Sequence, residues 1–183
     1  MALKATVFKI ELQIADMDRN YYQNHALTVA RHPSETDERM MVRILAFALY
    51  ASDALSFGKG IAAEDEPTLW EKDLTGMIEL WIEVGHPEER EIRKASGRAK
   101  RVVIISYGRA AEQWWNQNHD KLQRINNLTV LKLASASTQA LAAVASRNMQ
   151  LQCTIQDGLV WITADTNAVQ IEPEIVLRMQ DKI

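Results

Sequence analysis

The sequence predicts an α/β fold with a long β-hairpin near each terminus. Three observations carry this. Between residues 77 and 146, short apolar stretches of strand type alternate with amphipathic stretches of helical type, the order expected of a sheet with parallel strands. Runs near both ends alternate apolar and polar residues with period two, as half-buried strands do. Of the 183 residues, 47% are hydrophobic and 25% charged, with only 7 Gly and 4 Pro, which suffices for a core and argues against disorder. One domain over residues 1–183 is expected: an N-terminal hairpin at 1–32, an α/β core at 34–146 and a C-terminal hairpin at 149–164.

From Thr6 to Ile14, Phe8, Ile10, Leu12 and Ile14 share one face and Val7, Lys9, Glu11 and Gln13 the other. Asp16–Asn20 reads as a turn and Tyr21–Arg31 as the return strand. Pro33-Ser34 opens a helix, with Ser34 as its cap and Glu35, Asp37 and Glu38 in the first turn, where the helix dipole favours anions. Arg39 follows Glu35 by four residues, a supporting pair. From Met40 to Ala51 the helix is apolar nearly all round apart from Arg43, the pattern of a buried helix. Gly58-Lys59-Gly60 is a loop, and Glu64–Pro67 an acidic connection. Pro67–Lys72 fits either a helical turn or a strand.

Met77–Val84 reads as a strand with Ile78, Leu80, Ile82 and Val84 on a core face. Its other face carries Met77, Glu79, Trp81 and Glu83. Glu88–Arg101 reads as a helix rich in Arg90, Arg93, Lys94, Arg98, Lys100 and Arg101, and the next strand runs from Val102 to Tyr107. A helix over Arg109–Asn118, a strand over Leu128–Leu133 and an Ala-rich helix over Ser135–Ser146 follow. Met149–Gln156, the turn pair Asp157-Gly158 and Leu159–Ala164 form the second hairpin. Val169–Met179 fits an edge strand or a short helix.

An acidic strand followed by a basic helix can hold a divalent metal and a phosphate. The segments ARHPSETDERM, LWEKDLTG, IELWIEVG and IRKASGRA resemble those of the YaeQ family over nearly the whole chain. Asp73 and Glu83, with nine residues between them, also resemble the motif of the PD-(D/E)xK nucleases. The resemblance implies a mixed sheet of restriction-endonuclease-like type flanked by helices. It further implies a Mg²⁺-dependent phosphodiesterase acting on nucleic acid. In that reading Asp73 and Glu83 hold the metal, with Glu79 or Glu38 assisting; Glu35 is a further candidate for the shell. Arg90, Arg93 and Arg98 would contact phosphates. Two residues depart from the motif: Lys72 precedes Asp73 where a Pro is usual, and Gly85 stands where it wants a Lys. Lys94 would replace that Lys, orienting water and stabilising charge, with Lys72 as next candidate. The alternative is an inactive nuclease-fold module that binds nucleic acid or a protein partner.

Elementary geometry strains the metal reading. Ten residues of straight strand span roughly 33 Å, so the chain must fold back at Thr75-Gly76, bringing Asp73 nearer Glu79 than Glu83. Glu79 and Glu83 alone are about 13 Å apart along one strand. The plainer reading is an ion-pair layer of Glu79 and Glu83 against Arg93 and Lys94.

Other chemistry finds no pattern. His25, His32, His86 and His119 lack ligand spacing, and Cys153 has no partner, which argues against zinc and disulfides. Ser106-Tyr107-Gly108 is not a nucleophile elbow, and Gly58-Lys59-Gly60 is not a phosphate loop. Trp114 and Trp115 would stack on bases or, more simply, pack on the sheet. The net charge of −3 confines any nucleic-acid site to a local patch. The single cysteine, the lack of an apolar run of ~18 residues and the alternating start at residues 1–13 lead to the expectation of a cytoplasmic protein without membrane attachment.

Overall fold

The computed structural model describes residues 4–59 and 65–180. Gly60 and Glu64, named above in a loop and an acidic connection, lie outside the described residues, as do Met1–Leu3. The protein is a mixed α/β fold with two mixed sheets and, among the described residues, four helices. It divides into two compact units, Met1–Leu49 with Ala134–Pro173, and Tyr50–Leu133 with Glu174–Ile183. The expected segment 34–146 therefore contributes to both units, and the two terminal hairpins share one.

In the first unit, β1 (Thr6–Asp16) and β2 (Tyr21–Arg31) form the expected antiparallel hairpin, in unbroken register from Thr6↔Arg31 to Asp16↔Tyr21. Buried Phe8, Ile10, Leu12 and Ile14 alternate with exposed neighbours, so the period-two pattern correctly locates the inner face. The hairpins do not extend the core sheet; they build a sheet of their own. β8 (Asn148–Gln156) joins β1 in parallel, and β9 (Leu159–Ala164) and β10 (Asn167–Ile171) follow antiparallel, in the order β10-β9-β8-β1-β2. The β8–β9 turn has φ +54° at Asp157 and +75° at Gly158, the positive pair that a tight two-residue hairpin turn demands.

The helix α1 (Asp37–Tyr50) is buried from Met40 to Ala48. Its cap is Thr36 rather than Ser34: the Arg39 amide donates to Thr36 Oγ1 at 3.1 Å, while the Ser34 hydroxyl bonds His32 Nδ1 at 2.6 Å. Either side chain suits a cap; the partner nearby decides. Glu35 is 6% exposed and lies ahead of the helix. It accepts from Arg39 at 2.7 Å, the pair expected from sequence, and from the buried Arg43 at 2.8 Å. The helix α4 (Ser135–Ala143) completes this unit, and its Thr138 hydroxyl donates to Glu38 Oε1 at 2.7 Å.

In the second unit the strand order is β11-β7-β6-β5-β4-β3. A short strand β3 (Leu55–Phe57), which the sequence reading missed, pairs with β4 (Leu69–Lys72), settling the ambiguity at Pro67–Lys72 as a strand. β4 turns into β5 (Ile78–Val84). Two crossovers then build the parallel part, with α2 (Glu89–Arg98) between β5 and β6 (Ala99–Tyr107) and α3 (Ala111–Leu122) between β6 and β7 (Leu128–Leu133). For residues 169–179 the edge-strand alternative holds, in two pieces. They divide between β10 in the first unit and β11 (Glu174–Leu177), antiparallel to β7.

The basic helix is shorter than its charge pattern suggests. It ends at Arg98, and Ala99 already pairs with Ile78, so Lys100 and Arg101 belong to a strand. Beneath α2 and α3 lies a cluster of Trp81, Ile92, Ala95, Val102, Ile104, Trp114, Leu122, Leu128 and Val130. Burying each such aliphatic side chain stabilises the fold by about 1.5–3 kcal/mol relative to leaving it exposed. Trp81 thus joins a core, although the sequence reading set it beside Glu79 and Glu83 on the strand's acidic face, because a sheet with parallel strands is buried on both sides. Among the described residues, no helix is long and apolar enough to cross a membrane.

Candidate nucleic-acid interface

Of the site residues read from sequence, Asp73 stands in the turn after β4, Glu79 and Glu83 on β5, Arg90, Arg93, Lys94 and Arg98 on α2, and Glu38 on α1 of the first unit. The chain does fold back at Thr75-Gly76, with φ +87° at Gly76, and the Asp73 amide bonds the Met77 carbonyl at 2.9 Å. Asp73 is the organiser of this turn. Its Oδ1 accepts from the Thr75 amide (2.8 Å), the Thr75 hydroxyl (2.7 Å) and the Met77 amide (3.0 Å). The Thr75 hydroxyl, and after it the Met77 and Thr75 amides, hold its pKa below the ordinary 3.8. This stability is therefore complete above the unfolded value and lost as the pH falls through the lower folded one. Asp73→Asn keeps an oxygen for the turn but cannot titrate. Its stability deficit against the wild type, read from acid-dependent urea melts, should shrink below pH 3.8; a constant deficit would separate Asp73 from the acid limb.

Glu83 stands far along the hairpin. Leu69 pairs with Ile82, so Glu83 lies level with Thr68, five residues from Asp73 and roughly 16 Å away along the strand. Its carboxylate accepts from the Trp81 indole at 3.1 Å and from the Thr68 hydroxyl at 3.0 Å. Glu79 takes Lys100, not a helix cation. That hydrogen bond, followed by the charges of Glu79 and Asp73, raises the Lys100 pKa. The expected layer of Glu79 and Glu83 against Arg93 and Lys94 does not form as read: Arg93 and Lys94 take Glu89 and Asp65, and Glu79 takes Lys100, because the helix ends early and its strand-bound successor reaches the carboxylate.

Tested as Mg²⁺ ligands, Asp73, Glu79 and Glu83 do not fit one ion, since each has the separate partners just given; Glu38, in the first unit, accepts from Thr138. Among the described residues, no three His, Cys, Asp or Glu gather in a metal-binding group. Lys94 reaches Asp65 rather than any of these carboxylates. At Gly85 φ is +119°, so a Lys at this position would be strained although a Cβ there meets nothing within 4 Å. Among the basic candidates, Arg93 pairs with Glu89. Arg98 lies 5.1 Å over the Trp81 ring and donates to the Asp65 carbonyl. Arg90 is exposed and makes no ion pair with a described residue.

The second unit brings other residues together. A groove of about 760 Å³ is lined by Arg93, Ser96, Lys100, Arg124, Asn126, Asn127 and Gln180 among others, and no carboxylate lines it among the described residues. Its walls are fixed. Asn127 donates to the Ser96 and Ala99 carbonyls at 3.1 and 2.9 Å, closing the end of α2, and accepts from the Ser96 hydroxyl at 2.6 Å. The Gln180 amide bonds the Asn126 carbonyl at 2.8 Å. Arg93 and Lys100 are partly neutralised by Glu89 and Glu79; Arg124 makes no ion pair with a described residue. Sequence reasoning missed Arg124, Asn126, Asn127 and Gln180. Their approach to α2 depends on the parallel pairing of β6 and β7, for which no local pattern exists.

The YaeQ protein family model matches residues 1–173. The chain belongs to the YaeQ family. The relative named "Uncharacterized protein YaeQ" from Escherichia coli K12 is 46% identical over 172 residues, covering 93% of this chain and 95% of the relative. The protein of the same printed name from Salmonella typhi is 46% identical over 173 residues, covering 94% and 96%. The YaeQ crystal structure from Xanthomonas axonopodis pv. citri superimposes with a TM-score of 0.92 at 49% identity, over 97% of this chain and 99% of that one. The YaeQ crystal structure from Pseudomonas syringae gives 0.91 at 33% identity, over 95% and 97%. The family resemblance of the four sequence segments is thereby established, and so is the mixed α/β architecture with its two sheets.

Proposed function

We propose that this YaeQ-family chain is a nucleic-acid-binding module that uses the cationic groove of its second unit, and that its acidic strand is structural. The single observation that carries the reading is the composition of the groove: Arg93, Lys100 and Arg124 face it beside Ser96, Asn126, Asn127 and Gln180, without a carboxylate among the described lining residues. Cations supply attraction to a phosphate backbone, and neutral amides and hydroxyls supply short-range donors to its oxygens and sugars. The carboxylates that a metal-dependent nuclease would need are spent instead on a turn, a lysine and an indole.

The test is fluorescence anisotropy with labelled single-stranded and duplex DNA and RNA over a salt series. Affinity should fall linearly with salt on logarithmic axes, and Arg124→Ala should reduce that slope by about one. No binding at low salt would overturn the proposal. Divalent-dependent cleavage abolished by both Asp73→Ala and Glu83→Ala would return the acidic strand to the nuclease reading.

A further inference from the structure

The first unit ends on a long strand whose outer edge no further strand covers among the described residues. β2 is the last strand in its sheet and runs for 11 residues, whereas the other edge strands, β3, β10 and β11, have 3, 5 and 4. Edges of folded proteins are usually short, charged or interrupted, because free N–H and C=O groups template pairing. The sequence of β2, YYQNHALTVAR, has no Pro, Lys, Asp or Glu, and its one arginine stands at the end.

The direction of its free groups follows from β1. The Lys9 amide bonds the Arg147 carbonyl, and the Val7 carbonyl accepts from Arg147 Nε, so both point away from β2. In an antiparallel ladder their partners, Thr28 and Ala30, then point their own groups away from β1. By the same alternation Tyr22, Asn24 and Ala26 do so too. Arg43 caps the Ala30 carbonyl at 3.0 Å, which agrees with that direction. From Tyr22 to Thr28 these outward backbone groups have no backbone hydrogen bond to another described residue outside the sheet.

We infer that β2 pairs antiparallel with β2 of a second copy of this chain about a two-fold axis at Ala26, joining two five-stranded sheets into one. The strand complements itself in that register. The free ladder runs from Asn24 to Thr28; beyond it Tyr22, 56% exposed, meets Ala30 of the second copy, large against small, where Arg43 already shares the Ala30 carbonyl. Asn24 meets Thr28, amide against hydroxyl, and Ala26 meets Ala26. No charged side chain faces another on the solvent side of the pleat. An isologous contact of this kind closes on itself and so gives a dimer rather than a fibre.

Light scattering coupled to size-exclusion chromatography, over a wide concentration range, tests it. The wild type should be a dimer. Ala26→Lys sets two like charges opposite each other at the axis and should weaken the dimer by about tenfold or more, as should Ala26→Glu. Mixing these two variants should restore association as a heterodimer, since each lysine then faces a glutamate. The side chain faces solvent, so circular dichroism should show both variants folded. Ala26→Pro, which removes only an N–H aimed at the free edge, gives a second route to the monomer. A monomeric wild type overturns the inference, as does a dimer that Ala26→Lys and Ala26→Pro leave intact. Failure of the mixed charge variants to associate overturns the register.

Discussion

Glu35→Ala is expected to destabilise the protein by about 3–5 kcal/mol, the largest single loss foreseen for the first unit. Glu35 and Arg43 are 6% and 4% exposed, and their side chains meet at 2.8 Å. Burial pushes the Arg43 pKa down, and the neighbouring carboxylate opposes that shift. Removing the carboxylate leaves a cation in the interior with its main counter-charge gone. The stabilising role is conditional, however. Two charges taken from water lose hydration that their attraction only partly replaces, so an apolar pair of similar volume can serve as well. Glu35→Leu combined with Arg43→Met should therefore recover most of the stability lost in Glu35→Ala, in urea melts of all three variants. A double variant no better than the single one would mean that Arg43 is held chiefly for its other bonds, such as that to the Ala30 carbonyl.

The buried pair also marks a limit of reading the chain as a line. Glu35 looked like a first-turn anion because it follows Pro33-Ser34, and its link to Arg39 was visible as a spacing of four. Its link to Arg43 spans eight residues, and Glu35 itself stands outside the helix, so helical periodicity says nothing about it. The hairpins were legible because their period of two survives into the structure unchanged, and the Asp157-Gly158 turn announces itself by residue type. Sheet membership was not legible. Nothing in Phe8, Ile10 and Leu12 specifies that β1 should pair in parallel with a strand some 140 residues later, which separates the hairpins from the core sheet. The cationic groove shares that fate. Arg93 and Lys100 stand out in a basic stretch, but Arg124 and Gln180 join them only once β6, β7 and β11 are side by side.

Trp81→Ala is expected to destabilise the protein by about 3–5 kcal/mol and to loosen the acidic strand at the same time. The indole is 6% exposed, lies edge-on to Trp70 with ring centroids 6.3 Å apart, and carries the Arg98 guanidinium 5.1 Å from its ring. Its Nε1 donates to Glu83 at 3.1 Å. The same side chain thus fills the core below α2 and supplies a hydrogen bond to Glu83, the carboxylate for which the motif resemblance implies a metal-ligand role. Trp81→Phe separates the two contributions. It keeps most of the apolar volume and a ring for Arg98, and loses the donor, so it should cost about 1–3 kcal/mol. If Glu83 were held mainly for a metal, adding Mg²⁺ would stabilise the wild type in thermal melts and Glu83→Gln would abolish that gain. With the carboxylate spent on Trp81 and Thr68, the melts should instead be indifferent to Mg²⁺, and Glu83→Gln should lose stability with or without the ion. The hydrogen bonds of one carboxylate thus distinguish an acidic strand built for chemistry from one built to hold its own sheet together.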